Sequence, residues 1–128
     1  METVEIETAV YTAMVENADF LAMLPKGAAS VFHLQAPSDK RERYPIVVYS
    51  VLSDVPVISG DDVEITHAVT MRVHIVTNDG QYSDLYRAVN GIMTGQGFRR
   101  IQTTPYVEDG KKILIADYRI GVNAEWRP

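Results

Sequence analysis

The chain has 128 residues, a formal net charge of −5 at pH 7 and no cysteine. That length predicts one domain, 1–128, which can bury a core without cross-links. The lack of cysteine excludes disulfides and thiolate metal sites, and the acidic balance disfavours direct readout of nucleic acid, which needs an excess of Lys and Arg. No apolar run approaches ~18 residues, so we expect no membrane-spanning helix.

The N-terminal quarter is predicted to be helical. Apolar residues recur at helical spacing over 3–16. They are Ile6, Val10 and Met14. Asn17 or Asp19 can cap a second short helical turn, which Pro25 ends. The acidic start of the chain lacks the basic-then-apolar order of a signal peptide, which favours an intracellular protein.

A polar loop is predicted over 35–43. The segment reads "QAPSDKRER" and shows neither helical nor strand periodicity. It follows a short possible strand at 30–34 and precedes the strand that begins after Pro45. Such a loop is expected to be mobile and solvated.

The segment after Pro45 is predicted to be a strand with two apolar faces. One face carries Ile46, Val48 and Leu52, and the other carries Val47, Tyr49 and Val51. Asp54 and Pro56 are interpreted as the end of this strand. A turn over 59–62 leads into 62–79, where apolar side chains occupy odd positions and polar ones even positions. The two segments therefore predict an antiparallel hairpin.

The C-terminal half predicts one more helix and a second hairpin. The helix carries an apolar stripe and ends at Gly95 and Gly97. The stripe is Leu85, Val89, Ile92 and Met93. Two further strands, 98–109 and 111–126, flank the turn "EDGKK".

These elements predict an α+β fold with a single antiparallel sheet of about four strands and two helices packed on one face. One helical layer covers one face of the sheet. The second apolar face of the 46–52 strand then needs another cover, and self-association would supply it.

The sequence does not predict a catalytic or metal site. Asp62, Glu64 and His67 cluster in sequence, but strand alternation directs His67 to the opposite face, so the three do not converge. Neither a cysteine nucleophile nor a G-x-S-x-G turn is present. The glycines of "GIMTGQG" close a helix rather than open one, so they do not form a phosphate-binding loop. No cofactor is expected.

Several segments, spread over roughly 6–122, resemble the tail-completion and tail-terminator proteins of long-tailed phages and prophages. They are "VYTAMVENADFLAML", "YPIVVYSVLSDVP", "VTMRVHIVT", "YSDLYRAVNGIM", "GFRRIQTTPYVEDG" and "ADYRIGV". The second and fifth are the best matches. The acidic turn 59–64 has no counterpart that we can assign.

The resemblance implies a structural virion protein rather than an enzyme. Such proteins form a ring, expected to be hexameric, on the end of the tail tube, stop its growth and present a surface to the head connector. The implied partners are further copies, the tail tube protein and head connector proteins, and the implied location is the virion after assembly in the host cytoplasm. The residues expected at subunit or partner interfaces are Lys40, Arg41, Arg43, Tyr49, Val51, Arg99 and Arg100.

Two alternatives remain open. One is a head-closure or head–tail joining adaptor, which the sequence does not separate from a tail terminator. The other is a small ligand-binding or enzymatic domain with a pocket between sheet and helices. Its candidate polar residues are Asp54, His67 and Asp117.

Overall fold

A computed structural model describes residues 3–34, 44–58 and 65–122. In chain order, a 3₁₀ turn lies between the first two helices and the first strand. The helices are α1 (Thr3–Val15), α2 (Ala18–Ala22) and α3 (Ser83–Gly95), and the strands are β1 (Val31–His33), β2 (Ile46–Ile58), β3 (Ile65–Thr77), β4 (Arg99–Glu108) and β5 (Lys111–Val122).

The five strands form one sheet in the order β1-β2-β3-β5-β4. β1 runs parallel to β2, and every other neighbouring pair is antiparallel. The predicted α+β class is confirmed, but the described residues form a sheet of five strands rather than about four, and they form three α-helices rather than two. The difference arises because three-residue β1 joins the edge of the sheet, while the short turn after Asn17 forms a helix of its own.

Local signals account for the helix ends. The side chain of Asn17 accepts a hydrogen bond from the backbone N–H of Phe20 at 3.0 Å, so Asn17 is the cap of α2. Gly97 has a φ of +96°, which a residue with a Cβ rarely adopts, and the N–H of Phe98 then donates to the carbonyl of Met93. The predicted end of the last helix at these glycines is confirmed.

The two hairpins set the register of the sheet. β4 and β5 are joined by Asp109 and Gly110, both at positive φ, as a tight two-residue turn between twisted strands requires. The β2–β3 hairpin is antiparallel as predicted, with Ile46 opposite Val76 and Tyr49 opposite Val73. The turn expected at 59–62 lies outside the described residues.

The main core lies between the three helices and one face of the sheet, the covered face. Odd-numbered residues of β3 and even-numbered residues of β5 point into it, as the alternation predicts. The largest of its fully buried members are Ile6, Val10, Met14, Phe20, Val47, Val69, Met71, Val73, Ile75, Met93 and Tyr118. The apolar side chains of the helices and those on one side of the strands thus pack together in a single layer.

The other face of the sheet, the open face, carries a second and smaller apolar cluster. Ile46, Val48, Val76 and Ile113 are buried there. Side chains that pack against them are Phe32, Tyr44, Tyr106 and Ile115. The expectation that another subunit must cover the second face of the 46–52 strand is therefore wrong for Ile46 and Val48, which are buried within the single chain.

β2 is longer than predicted. Its register to β3 shifts between Val51 and Ser53, so Leu52 is the extra residue of a β-bulge, and the strand then continues to Ile58. Asp54 and Pro56 consequently lie inside the strand instead of ending it. Proline is tolerated at this position because, in the described part of the chain, β1 pairs with 47–49 and the rest of that side of β2 is an edge.

Candidate interaction surface

The residues expected at interfaces do not form one site. Lys40, Arg41 and Arg43 lie outside the described residues. Tyr49 and Val51 belong to β2, whereas Arg99 and Arg100 begin β4 on the opposite edge of the sheet. β3 and β5 separate the two edges, so the structure brings these residues together in two groups rather than one.

Tyr49 lies in the core and joins α1 to the sheet. Its ring is 6.2 Å from the ring of Tyr11, and it stacks on His33 with centroids 5.1 Å apart. His33 also bonds to the carboxylate of Glu7 on α1. Burial raises the pKa of the Tyr49 hydroxyl. Because Tyr49 is only 6 % exposed, packing alone accounts for it, and its interface role stays a prediction.

The distal half of β2 presents apolar side chains to solvent. Val51 packs against the core, but Leu52 and Val55 are 50 % and 51 % exposed. Asp54 lies between them and pairs with Nδ1 of His67 at 3.0 Å. The sequence prediction missed Val55 because it ended the strand too early, and it placed Leu52 on one face with Ile46 and Val48 because it did not include the bulge. The valine at 55, following the bulge, is the signal that the strand continues.

The start of β4 presents positive charge beside an apolar side chain. Arg99 and Arg100 are exposed, and the guanidinium of Arg100 donates to the hydroxyl of Tyr86 on α3. Ile101, the extra residue of a second β-bulge, is 39 % exposed. Arg119 on β5 lies directly opposite Arg99. This end of the β4–β5 hairpin therefore carries three arginines and one exposed isoleucine.

A buried carboxylate lies in the middle of the open face. Asp117 is 1 % exposed, and both of its oxygens accept hydrogen bonds from Arg72, at 2.8 and 3.1 Å. Gln102 adds a third bond at 2.7 Å. Burial by itself raises the pKa of Asp117, but the bonds from Arg72 and Gln102 outweigh it and hold the pKa below its usual value. The carboxylate is thus ionised and fully bonded.

His74 neighbours this ion pair on β3. Burial lowers the pKa of His74, and the charge of Arg72 lowers it further. Its Nδ1 is buried and has no hydrogen-bond partner within the ranges 3–34, 44–58 and 65–122. The imidazole is therefore neutral at pH 7 and lies at the boundary between the apolar and the ionic halves of the open face.

The residues proposed for a ligand site do not converge. Asp54 and His67 form their own pair on the β2–β3 hairpin, with Asp54 opposite Val69, a residue of the covered face. Asp117 is opposite Arg72 on the open face. The three polar groups are thus divided between the two sides of the sheet, and each already has a partner.

A shallow groove of about 500 Å³ runs along α1. Its lining is mostly small and apolar, with Glu5 and Glu16 as the charged members. The lining residues are Val4, Glu5, Thr8, Ala9, Thr12, Ala13, Glu16 and Gln96. Among the described residues, no three His, Asp or Glu side chains come close enough to share a metal ion. In the same part of the chain no helix is long and apolar enough to cross a membrane.

The fold is similar to that of a chain in a solved structure described as "Virion of native gene transfer agent (GTA) particle". The superposition has a TM-score of 0.65 and covers 94% of this chain and 96% of that chain, with 12% sequence identity. No family model and no curated protein matches the sequence. At this identity the likeness shows a shared fold over nearly the whole of both chains.

Proposed function

We propose that this chain is a structural subunit of a virion. In this proposal a hexameric ring of copies caps the end of a phage tail tube, ends tail growth and offers the surface on which the head docks. The observation that carries the proposal is the shared fold with a virion chain over 94% of this chain. The likeness covers 96% of that chain as well, so it extends beyond a common sheet-and-helix motif.

The resemblance to tail-completion and tail-terminator proteins supports the tail position. It is based on segments that the structure places in the main elements of the fold: "YPIVVYSVLSDVP" forms most of β2, and "VTMRVHIVT" forms most of β3. We propose that the protein acts by contact and not by catalysis, with further copies, the tube protein and head connector proteins as partners. Assembly takes place in the host cytoplasm and the finished ring lies in the virion.

Exposed apolar side chains beside charges agree with this role. Leu52 and Val55 on β2, and Ile101 on β4, remain half-exposed although the chain buries two apolar clusters. Protein–protein contacts combine such apolar anchors with a polar rim. Charge of both signs at the rim provides orientation and a dependence on salt.

Deletion of the gene from the phage or prophage that encodes it tests the function. We expect tails of uncontrolled length, seen by negative-stain electron microscopy, and free heads. An unaltered gene supplied from a plasmid restores uniform tails, while a copy with an early stop codon serves as the control. Complete tails of uniform length on heads that lose their DNA would contradict tail capping and would favour the head-closure adaptor.

A further inference from the structure

We propose that copies of this chain contact one another head to tail through opposite edges of the sheet. The distal half of β2, with Leu52, Asp54 and Val55, forms one patch, which we call the arm patch. The start of β4, with Arg99, Arg100 and Ile101, forms the other, which we call the β4 patch. The occupant of each patch is the other patch on a second copy. The inference deepens the proposed function and depends on it for the closure of the ring.

The topology exposes both patches as edges. Within the described residues, β4 is the last strand of the sheet, and β2 becomes an edge beyond the 47–49 segment that pairs with β1. β3 and β5 lie between them, so the patches are roughly 14 Å apart at a strand spacing of about 4.8 Å. Two different patches on opposite edges cannot form a two-fold dimer by meeting each other. They produce a heterologous contact, which closes into a ring or continues as a filament.

The two patches lie at nearly the same height on the sheet. Leu52 is the bulge residue that follows Val51, the register partner of Met71. Ile101 is the bulge residue that follows Arg100, the register partner of Tyr118. Met71 and Tyr118 are themselves register partners. Rotation about a ring axis keeps the height of every atom along that axis. When the strands run along the axis, a ring therefore brings the arm patch of one copy level with the β4 patch of the next.

The patches are complementary in charge as well as in apolar character. The β4 patch contributes Arg99 and Arg100, with Arg119 beside them, while the arm patch contributes Asp54, whose carboxylate also pairs with His67. Since the whole chain has a net charge of −5, this arginine-rich edge is an exception that suits an acidic neighbour.

Side chains, rather than a continuous backbone ladder, carry this contact. Pro56 in β2 and Pro105 in β4 each remove one N–H donor, and a β-bulge interrupts each edge strand. Such features prevent unregulated edge-to-edge pairing. In the proposed contact, Leu52 and Val55 of one copy pack against Ile101 of the next, and charged side chains surround them. Because the contact depends on these side chains, association can be specific for the matching patch.

Cysteine cross-linking tests the contact, because the native chain has no cysteine to interfere. We would make the single variants Val55→Cys and Ile101→Cys and the double variant. Both positions are partly exposed, so the fold should tolerate the change. Mild oxidation of the mixed single variants should give a disulfide-linked dimer at least tenfold faster than either variant alone. The double variant should give a ladder of bands that ends at the ring.

Val4→Cys mixed with Val55→Cys is the matched control, since Val4 is more exposed at 69 % but lies on α1. Copies with Leu52→Lys should need a protein concentration about tenfold or more higher than wild-type copies to associate, because the substitution removes an interface anchor. Association is measured by light scattering on a sizing column.

The outcomes separate this inference from the proposed function. The protein could form oligomers and yet cross-link no faster through Val55→Cys and Ile101→Cys than through the control pair. That result would overturn the edge contact, but it would still be compatible with a ring. A wild-type chain that stays monomeric at every concentration, without cross-links, would also overturn the edge contact. The deletion phenotype decides the tail-capping function separately from either result.

Discussion

The two faces of the sheet are built from the same strands but are stabilised in different ways. The covered face is apolar where three helices close it, with Phe20 and Tyr118 among its fully buried side chains. The open face is divided between an apolar cluster around Val48 and an ionic cluster around Asp117. The covered face holds the fold together by burial, whereas the open face must also keep each polar group bonded.

Two phenylalanines provide the largest contrast between the faces. Phe20→Ala empties a fully buried site of the covered face and should lower the free energy of unfolding by about 3–5 kcal/mol. Phe32→Ala removes the same side chain from the open face, where it is half-buried, and should lower it by about 1–2 kcal/mol. Urea denaturation of both variants measures the difference. Equal losses would contradict the claim that the covered face dominates stability.

The ion pair of the open face should respond unequally to removal of its two partners. Arg72→Met leaves the buried carboxylate of Asp117 without its charge partner, and we expect a loss of about 2–3 kcal/mol at pH 7, moderated because Arg72 is partly exposed. Asp117→Asn leaves a guanidinium that water can reach, so the loss should be smaller. Thermal unfolding of both variants measures the order, and the reverse order would be inconsistent with the burial of Asp117.

The same pair predicts a dependence on pH. The folded-state pKa of Asp117 lies below its unfolded value, so the stabilisation is present above the unfolded pKa and is lost as the pH falls through the folded pKa. Arg72→Met should remove most of this acid-dependent loss. Unfolding curves recorded from pH 7 down to pH 3 test this, and an unchanged slope would show that other carboxylates are responsible.

How far the sequence predicts this molecule depends on the range of the contacts involved. Alternation over 65–77 correctly assigns the two faces of β3, and the Asp109–Gly110 turn correctly locates the second hairpin. β2 was predicted too short because the bulge at Leu52 changes which residues face the core, which breaks a period of two. Prediction of a strand from its sequence requires an uninterrupted alternation of apolar and polar residues, and a β-bulge interrupts that alternation.

Contacts between distant residues are the other part that pattern reading missed. Arg72 and Asp117 are 45 positions apart and meet only because β3 and β5 pair in one particular register. A short strand was expected within 30–34, where β1 lies, but its parallel pairing with β2 is a contact that three residues of sequence do not predict. The exposed edges followed from the strand order, which the sequence did not provide.

A single hydroxyl provides a smaller test on the covered face. Tyr118 is fully buried and donates a hydrogen bond to the side chain of Asn90 at 3.2 Å. Tyr118→Phe keeps the ring and removes the bond, so we expect a loss of about 0.5–1.5 kcal/mol. Urea denaturation gives the value. A loss as large as that of Phe20→Ala would mean that the hydroxyl, and not the ring, organises this part of the core.

His74 provides the smallest expected effect. Its folded-state pKa lies below the unfolded value because of burial and of Arg72, although Asp117 and Glu108 act in the opposite direction. Its stabilisation is therefore present above the unfolded pKa and is lost as the pH falls through the folded pKa. His74→Met should flatten the stability curve as the pH falls below about 6.5, the usual pKa of histidine. A stability curve that is unchanged by His74→Met would contradict the role of burial.

The number of copies in purified particles tests the virion role most directly. Isotope-labelled standard peptides and mass spectrometry would count this chain against the major coat protein of the same virion. A ring that caps one tail predicts about six copies per particle, the number that the resemblance to tail terminators implies for a closed cyclic assembly. Absence from particles, or a copy number comparable with that of the coat or tube protein, would contradict the account.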